Sequence, residues 1–212
     1  METQTLQEKR EETLRRILEA ATEIFAEDGF AGARVDKIAS RARVNKATIY
    51  YHIGDKEALY ARVLHDVFSG AARRISENMH QAQDPVEKLR TYVRNMAQTV
   101  GRHPHVPPII MRELASGARN IPEVVANDLA RILGMLDEIL REGAAQGLFI
   151  EANPLIIHIM VVGSIISVKN INSIKTRHPD FPEFFKRMAI DDAGDLAEQV
   201  ERIILTGVKK QG

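Results

Sequence analysis

The side chains best suited to chemistry cluster between Asn45 and Lys56: Lys46, Thr48, Tyr50, Tyr51, His52 and Lys56, with the small Ala47 among them. They are hydrogen-bond donors, not an acid–base or nucleophilic set. Hydroxyl, imidazole and ammonium groups suit phosphate oxygens. A lysine also donates to guanine O6 or N7, and an alanine admits close approach to a base edge or a thymine methyl. Elsewhere the chemistry thins out. Glu77-x-x-His80 sets a carboxylate and an imidazole on one helix face, as in di-iron bundles. Those bundles need a second such pair and further glutamates, and no other Glu-x-x-His occurs. His103 and His105 flank Pro104 and could bind a metal with a third ligand, but the default reading is a solvated loop. Gly163-Ser164 lacks the flanks of a nucleophile elbow, and its small residues suit close helix packing. With no glycine-rich phosphate loop and no catalytic constellation, neither an enzyme nor a cofactor or metal is expected.

Two short helices joined by a tight turn must position the donor set. The first, Val35 to Ala42, buries Val35, Ile38, Ala39 and Ala42; Arg43-Val44 forms the turn. Asn45 then caps a second helix over Lys46 to His52, whose Ile49, with Ile53 beyond it, faces the core. This is the helix-turn-helix arrangement, in which the start of the second helix enters a major groove. Lys46, Ala47 and Tyr50 project from that end, and Thr48, Tyr51, His52 and Lys56 surround it. Adjacent helix positions cannot both face one core, so at least one of Tyr50 and Tyr51 is expected to be exposed. Gly54 ends the helix, and Asp55 caps a long fourth one whose free N–H groups, with Lys56, can hold a phosphate. An amphipathic helix carrying Leu14, Ile17, Leu18, Ala21, Ile24 and Phe25 precedes the pair and stops at Gly29. Over this region Arg34, Lys37, Arg41, Arg43, Lys46 and Lys56 face only Asp36 and Asp55. Such a local basic patch suggests a DNA footprint weakened by salt.

The remainder reads as helices, making an all-α chain. The fourth helix runs to about His80, and a fifth, started by Asp84-Pro85, buries Leu89, Tyr92, Val93, Met96 and Val100. Gly101 to Pro108 reads as a loop before a short helix from Ile109 to about Ser116. A seventh helix follows Pro122 and reaches Ala145, ahead of Gly147. Asn153-Pro154 starts the next, over Leu155 to Ile174, which is apolar on nearly every face and so asks for cover on all sides. A short helix over Phe181 to Met188 is expected, then a last one from about Asp192 to Val208 burying Leu196, Val200, Ile203 and Ile204. The expected division is 1–54, with 1–11 a flexible arm, and 55–212.

Composition supports a globular chain: 44% apolar and 27% charged residues, with 29 basic and 29 acidic side chains that cancel. The absence of Cys excludes disulfides and thiolate metal sites and suits a reducing cytoplasm. The polar N-terminus is no secretory signal. The run Leu155 to Val168, interrupted by His158, falls short of the ~20 residues a spanning helix needs, so no membrane contact is expected.

The run from Gly29-Phe30 through Ile38-Ala39 to Thr48-Ile-Tyr-Tyr-His-Ile-Gly-Asp-Lys-Glu-Ala-Leu59 resembles the tetracycline repressor (TetR) family of bacterial regulators. The resemblance implies an N-terminal helix-turn-helix domain followed by a helical domain for ligand binding and dimerisation. It implies base contacts from Lys46, Ala47 and Tyr50, and phosphate contacts from Thr48, Tyr51, His52 and Lys56. It further implies a homodimer paired through about 153–174 and 192–208, and a repressor released from a palindromic operator by a small-molecule effector. Phe68, Met96, Met111, Arg112 and Met135 are the candidates for lining the effector pocket, with Arg112 able to pair with an acidic effector or equally with Glu113 or water. Three positions depart from the family pattern. Arg43 stands where Gly is usual, so a non-Gly residue is expected near a left-handed conformation at a cost of ~1 kcal/mol. Ala33-Arg34 replaces the Ser/Thr cap of the second helix, and Ile53 replaces a Phe.

Overall fold

The computed structural model describes residues 2–177, 182, 184 and 193–210, so the helix expected over Phe181–Met188 lies almost wholly outside the described residues. The named elements are α1 (Glu2–Gly32), α2 (Val35–Ala42), α3 (Lys46–His52), α4 (Lys56–Met79), α5 (Pro85–Arg102), α6 (Val106–Ala115), α7 (Glu123–Ala145), α8 (Pro154–Arg177) and α9 (Ala193–Val208). They form two compact units. One holds residues up to Ser69 with Pro104–Asn127; the other holds Gly70–His103 with Asp128 onward. The division expected at residue 54 therefore falls inside the first unit, which takes the start of α4 and all of α6.

In the first unit the apolar stripe of α1 (Ile17, Ala21, Ile24, Phe25) is fully buried against Ile38 of α2, Ile49 of α3 and Leu59 and Leu64 of α4. Phe25 meets the ring of Tyr60 edge-on at 4.8 Å, and Phe30 meets it at 4.9 Å. Gly29 breaks the helical path with φ 72°, as expected from its type, although helix resumes to Gly32. A Cβ there would also stand 2.8 Å from Cδ of Arg112 on α6. Glu113 of α6 is buried and accepts from the Tyr60 hydroxyl at 3.2 Å and from the Asn120 amide side chain at 3.1 Å. These bonds fix α6 and the loop after it to the unit.

The second unit packs α5, α8 and α9 together over Tyr92, Val93, Val161, Ile165, Leu196 and Val200. Its C-terminal end is tied by one bridge, with Ile150 N–H donating to Val208 O at 2.8 Å. Gly143 is glycine of necessity, because a Cβ would stand 2.0 Å from the buried Phe149 ring. His158 of α8 places Nδ1 2.6 Å from the Tyr92 hydroxyl of α5. Burial lowers this imidazole from 6.5 to about 4 and raises the Tyr92 phenol. The folded value lies below the unfolded one, so the neutral ring's contribution is complete above pH 6.5 and is lost as pH falls toward 4. The loss should be on the order of 3 kcal/mol. Thermal melts from neutral to acid pH should show this slope in the wild type and a much smaller one in His158→Gln; equal slopes would place the acid sensitivity elsewhere.

Several expectations give way to the structure. The arm expected at 1–11 is helical from Glu2. The loop expected over Gly101–Pro108 shrinks to His103–His105, because Pro107 and Pro108 sit in the first turn of α6, where no intrahelical N–H is needed. Ile203 of α9, expected inside, is 62% exposed. Among the described residues α8 is not covered on all sides, and Leu155, Ile156, Ile159, Met160, Ile171 and Ile174 are exposed. The helix is also longer than the run read from sequence, and Pro154–Asn172 is long and apolar enough to cross a bilayer by length and composition.

Candidate nucleic-acid interface

α2 and α3 meet through a turn in which Arg43 adopts φ 54° and ψ 46°, the left-handed conformation that the missing glycine foretold. Val44 N–H donates to Ala39 O at 3.0 Å and Arg43 N–H to Ser40 O at 3.2 Å, closing the end of α2. Arg16 of α1 reaches across and donates through Nη2 to the carbonyls of Ala42 and Arg43. This charge-assisted contact holds a strained turn that sequence spacing alone does not reveal. Arg34 precedes α2 without a side-chain cap, as its type implies. Arg43→Gly should raise the melting temperature, since the strain of ~1 kcal/mol is relieved. A lower melting temperature for the variant would mean that the Arg43 side chain stabilises the turn more than its backbone strains it.

α3 begins at Asn45, whose Oδ1 accepts from Thr48 N–H at 2.7 Å and from the Thr48 hydroxyl at 2.8 Å. Ile49 is fully buried and Ile53 packs on the same core, which turns the opposite face outward. Lys46 and Ala47 are exposed there, Tyr50 is 48% exposed and Tyr51 79%, with the His52 ring edge-on to Tyr51 at 5.2 Å. Both tyrosines thus face outward, not just one.

The electrostatics are less positive than the residue count suggests. Lys37 pairs with Asp28 at 2.8 Å and Glu27 at 3.2 Å, and Arg41 with Glu27 at 2.8 Å and Glu23 at 3.0 Å, so acids on α1 neutralise the outer face of α2. These bonds raise the pKa of Lys37 and Arg41, and those from Arg41 and then Lys37 lower that of Glu27. Lys46 pairs with Asp36 at 3.1 Å. Both partners are substantially exposed and the pair is worth at most ~1 kcal/mol, so Lys46 remains able to turn toward another acceptor. Lys56 is committed inward. Its Nζ donates to Phe30 O at 3.1 Å and Ala33 O at 3.4 Å and lies 4.5 Å from the centre of the Phe30 ring. Arg34 and Arg43 make no ion pair among the described residues and carry the unbalanced positive charge of the patch.

The five effector-pocket candidates divide between the two units. Phe68, Met111 and Arg112 belong to the first unit, and Met96 and Met135 to the second. Met111 is 48% exposed, Met96 is buried, and Arg112 donates to Glu27 O at 3.3 Å across Gly29, a structural duty the sequence did not announce. A cavity of about 740 Å³ near Asp137, Arg141, Phe149 and Lys210, and one of about 320 Å³ near Asn78, Thr91, Arg94 and Asn95, contain none of the five. Among the described residues no three or more His, Asp or Glu side chains gather to hold a metal ion, His80, His103 and His105 included.

An amphipathic helix, a turn and a capped second helix with its polar face outward define a helix-turn-helix regulatory protein. Residues 17–63 match the family described as bacterial regulatory proteins, tetR family, and residues 85–178 match the tetracyclin repressor-like C-terminal domain. The chain belongs to the TetR family. It is 32% identical over 136 residues to the transcriptional repressor NicS of Pseudomonas putida, covering 63% of this chain and 64% of NicS. It is 34% identical over 85 residues to the repressor DhaR of Mycobacterium sp. strain GP1, covering 40% of this chain and 43% of DhaR. The chain thus spans less than two thirds of the length of these curated relatives. Its fold is that of FadR from Bacillus subtilis, solved with stearoyl-CoA: TM-score 0.70 and 22% identity over 92% of this chain and 98% of that one.

Proposed function

We propose that this chain is a sequence-specific DNA-binding transcriptional regulator, a cytoplasmic repressor without enzymatic activity that a small-molecule effector releases from a palindromic operator. The observation that carries the reading is the outward face of α3. An Asn45 cap and a buried Ile49 leave Lys46, Ala47 and Tyr50 free to enter a major groove. Tyr51 and His52 flank them for phosphate contact, joined by Thr48 once it leaves the Asn45 cap. Arg34 and Arg43 supply the unpaired charge, whereas Lys56 acts in this reading through the start of α4 that it holds in place. Relatives named as repressors support the direction of regulation, and a solved relative holding stearoyl-CoA supports control by a small molecule.

The chain works as a homodimer. The exposed apolar face of α8, with Ile203 of α9, supports pairing through about 153–174 and 192–208, and a second copy rather than lipid covers it. The two protomers would read half-sites about one helical turn apart. The proposed working division assigns DNA reading to 1–54 and effector binding and dimerisation to 55–212.

A gel shift on the DNA upstream of the chain's own coding sequence should show a sharp complex that random duplex does not displace. Because three basic side chains of the patch already face acids, affinity should fall by less than the ~1,000-fold typical of a protein with six or more phosphate contacts between about 50 and 200 mM salt. Equal binding to any duplex would reject base readout.

A further inference from the structure

The break in α1 at Gly29 is gripped from two other helices. With φ 72° and ψ 173°, Gly29 leaves the helical path in a conformation that only glycine adopts readily. A helix end of this kind exposes carbonyls that lack a helical N–H partner. Glu27 O, two residues before the break, accepts from Nη2 of Arg112 on α6 at 3.3 Å. Phe30 O and Ala33 O, beyond it, accept from Nζ of Lys56 on α4 at 3.1 and 3.4 Å. Arg112 occupies the notch left by the missing side chain of Gly29, where a Cβ would stand 2.8 Å from its Cδ and 2.9 Å from its Nη1. All of these residues lie in the first unit, together with α2 and α3.

Arg112 is itself held in place. The next residue, Glu113, is buried and accepts from the Tyr60 hydroxyl and from the Asn120 backbone N–H, each at 3.2 Å. The Tyr60 ring lies against Phe25 and Phe30, one on each side of the break. Glu27 in turn joins two helices to α1: its carboxylate takes Lys37 and Arg41 of α2, and its carbonyl takes Arg112 of α6. α2 begins at Val35, shortly after the break, and α3 follows it through the tight turn. The torsions at Gly29 therefore bear on the direction in which both helices leave α1, and a side chain bonded across them resists rotation. Side chains that read a ligand must be held to within about 0.5 Å, and a small rotation at the break grows along the two helices.

We propose that Arg112 is a positioning residue for DNA reading: by bridging the break in α1 it holds α2 and α3 at the angle a major groove accepts. This rests on the regulator reading above and gives Arg112 a role that needs no contact with base, phosphate or effector. Without the bridge the free chain samples other angles, and its affinity falls by the fraction of chains left in the competent one.

The test uses the full chain. Arg112→Gln keeps the stem but loses the charge and the reach to Glu27 O; Leu114→Ala, at an exposed neighbour on α6, is the control. Arg112→Gln should weaken operator binding roughly 5- to 10-fold, the effect of one exposed charge-assisted hydrogen bond. Binding to random duplex should hardly change, because a complex made on phosphates alone tolerates a range of angles. The slope of log affinity against log salt should stay as in wild type, since no phosphate contact is lost. Leu114→Ala should bind both DNAs as wild type does. Without DNA, amides of α2 and α3 should exchange faster in Arg112→Gln, while its melting temperature falls by no more than about 4 °C. A merely structural residue would lower the melting temperature and leave the preference for operator untouched, which overturns the inference. So do a shallower salt slope, equal loss on both DNAs, equal loss in Leu114→Ala, or unchanged amide exchange. A wild type that prefers no duplex refutes the regulator reading and the tie to DNA with it. An operator that wild type and Arg112→Gln bind equally refutes the positioning role alone.

Discussion

Lys46→Ala and Tyr50→Ala should each weaken operator binding by roughly 5- to 150-fold, the span of one lost base contact, while leaving binding to random duplex nearly unchanged. The asymmetry between the two DNAs is the informative part. Lys46 and Tyr50 project from the first turns of α3, are not part of the core, and take no part through their side chains in the bonds that hold the turn and cap the helix. Their loss should therefore leave the melting temperature within about a degree of wild type, as for other surface changes. Tyr51→Ala removes a more exposed ring beside them and should weaken both DNAs alike, as phosphate contacts do. A uniform fall for all three variants would mean that α3 only rests on the backbone. No change for any would mean that the face points away from the duplex.

The double substitution Ile156→Asp with Ile159→Asp should convert the protein to monomers at micromolar concentration, seen by sedimentation, and should abolish the operator complex. Both side chains are 58% exposed on the single chain, so an aspartate there costs the folded protomer little. In a dimer the same carboxylates would be buried against apolar side chains, at a cost of several kcal/mol apiece. The monomer should still melt cooperatively. A dimer of unchanged affinity would mean that another surface pairs, and partition of the wild type into detergent or vesicles would mean that lipid covers the face.

The helix-turn-helix was legible because its information is local. A cap at Asn45, apolar spacing in α2 and the turn position held by Arg43 are each decided within a few residues, and all three took the expected form. The ionic partners were not legible. Lys37 meets Asp28 nine residues away and Arg41 meets Glu23 eighteen away, and such pairs depend on the angle at which α1 crosses α2. Sequence counts the charges without saying which face one another, so the basic patch reads as stronger than it is. The inward reach of Lys56 and Arg112 was hidden for the same reason: long side chains choose among acceptors only after the backbone is placed. On α8 and α9 the apolar pattern marks what must be covered but not by what, so Ile203 looked like interior of its own chain.

The acids of α1 that clasp Lys37 and Arg41 bear on how such a regulator would search a chromosome. A surface that offers few free cations lingers only briefly on unrelated stretches of the genome. On the proposed reading it would sample by repeated short visits from solution more than by gliding along the double helix, and few copies per cell would be lost to sites of no consequence.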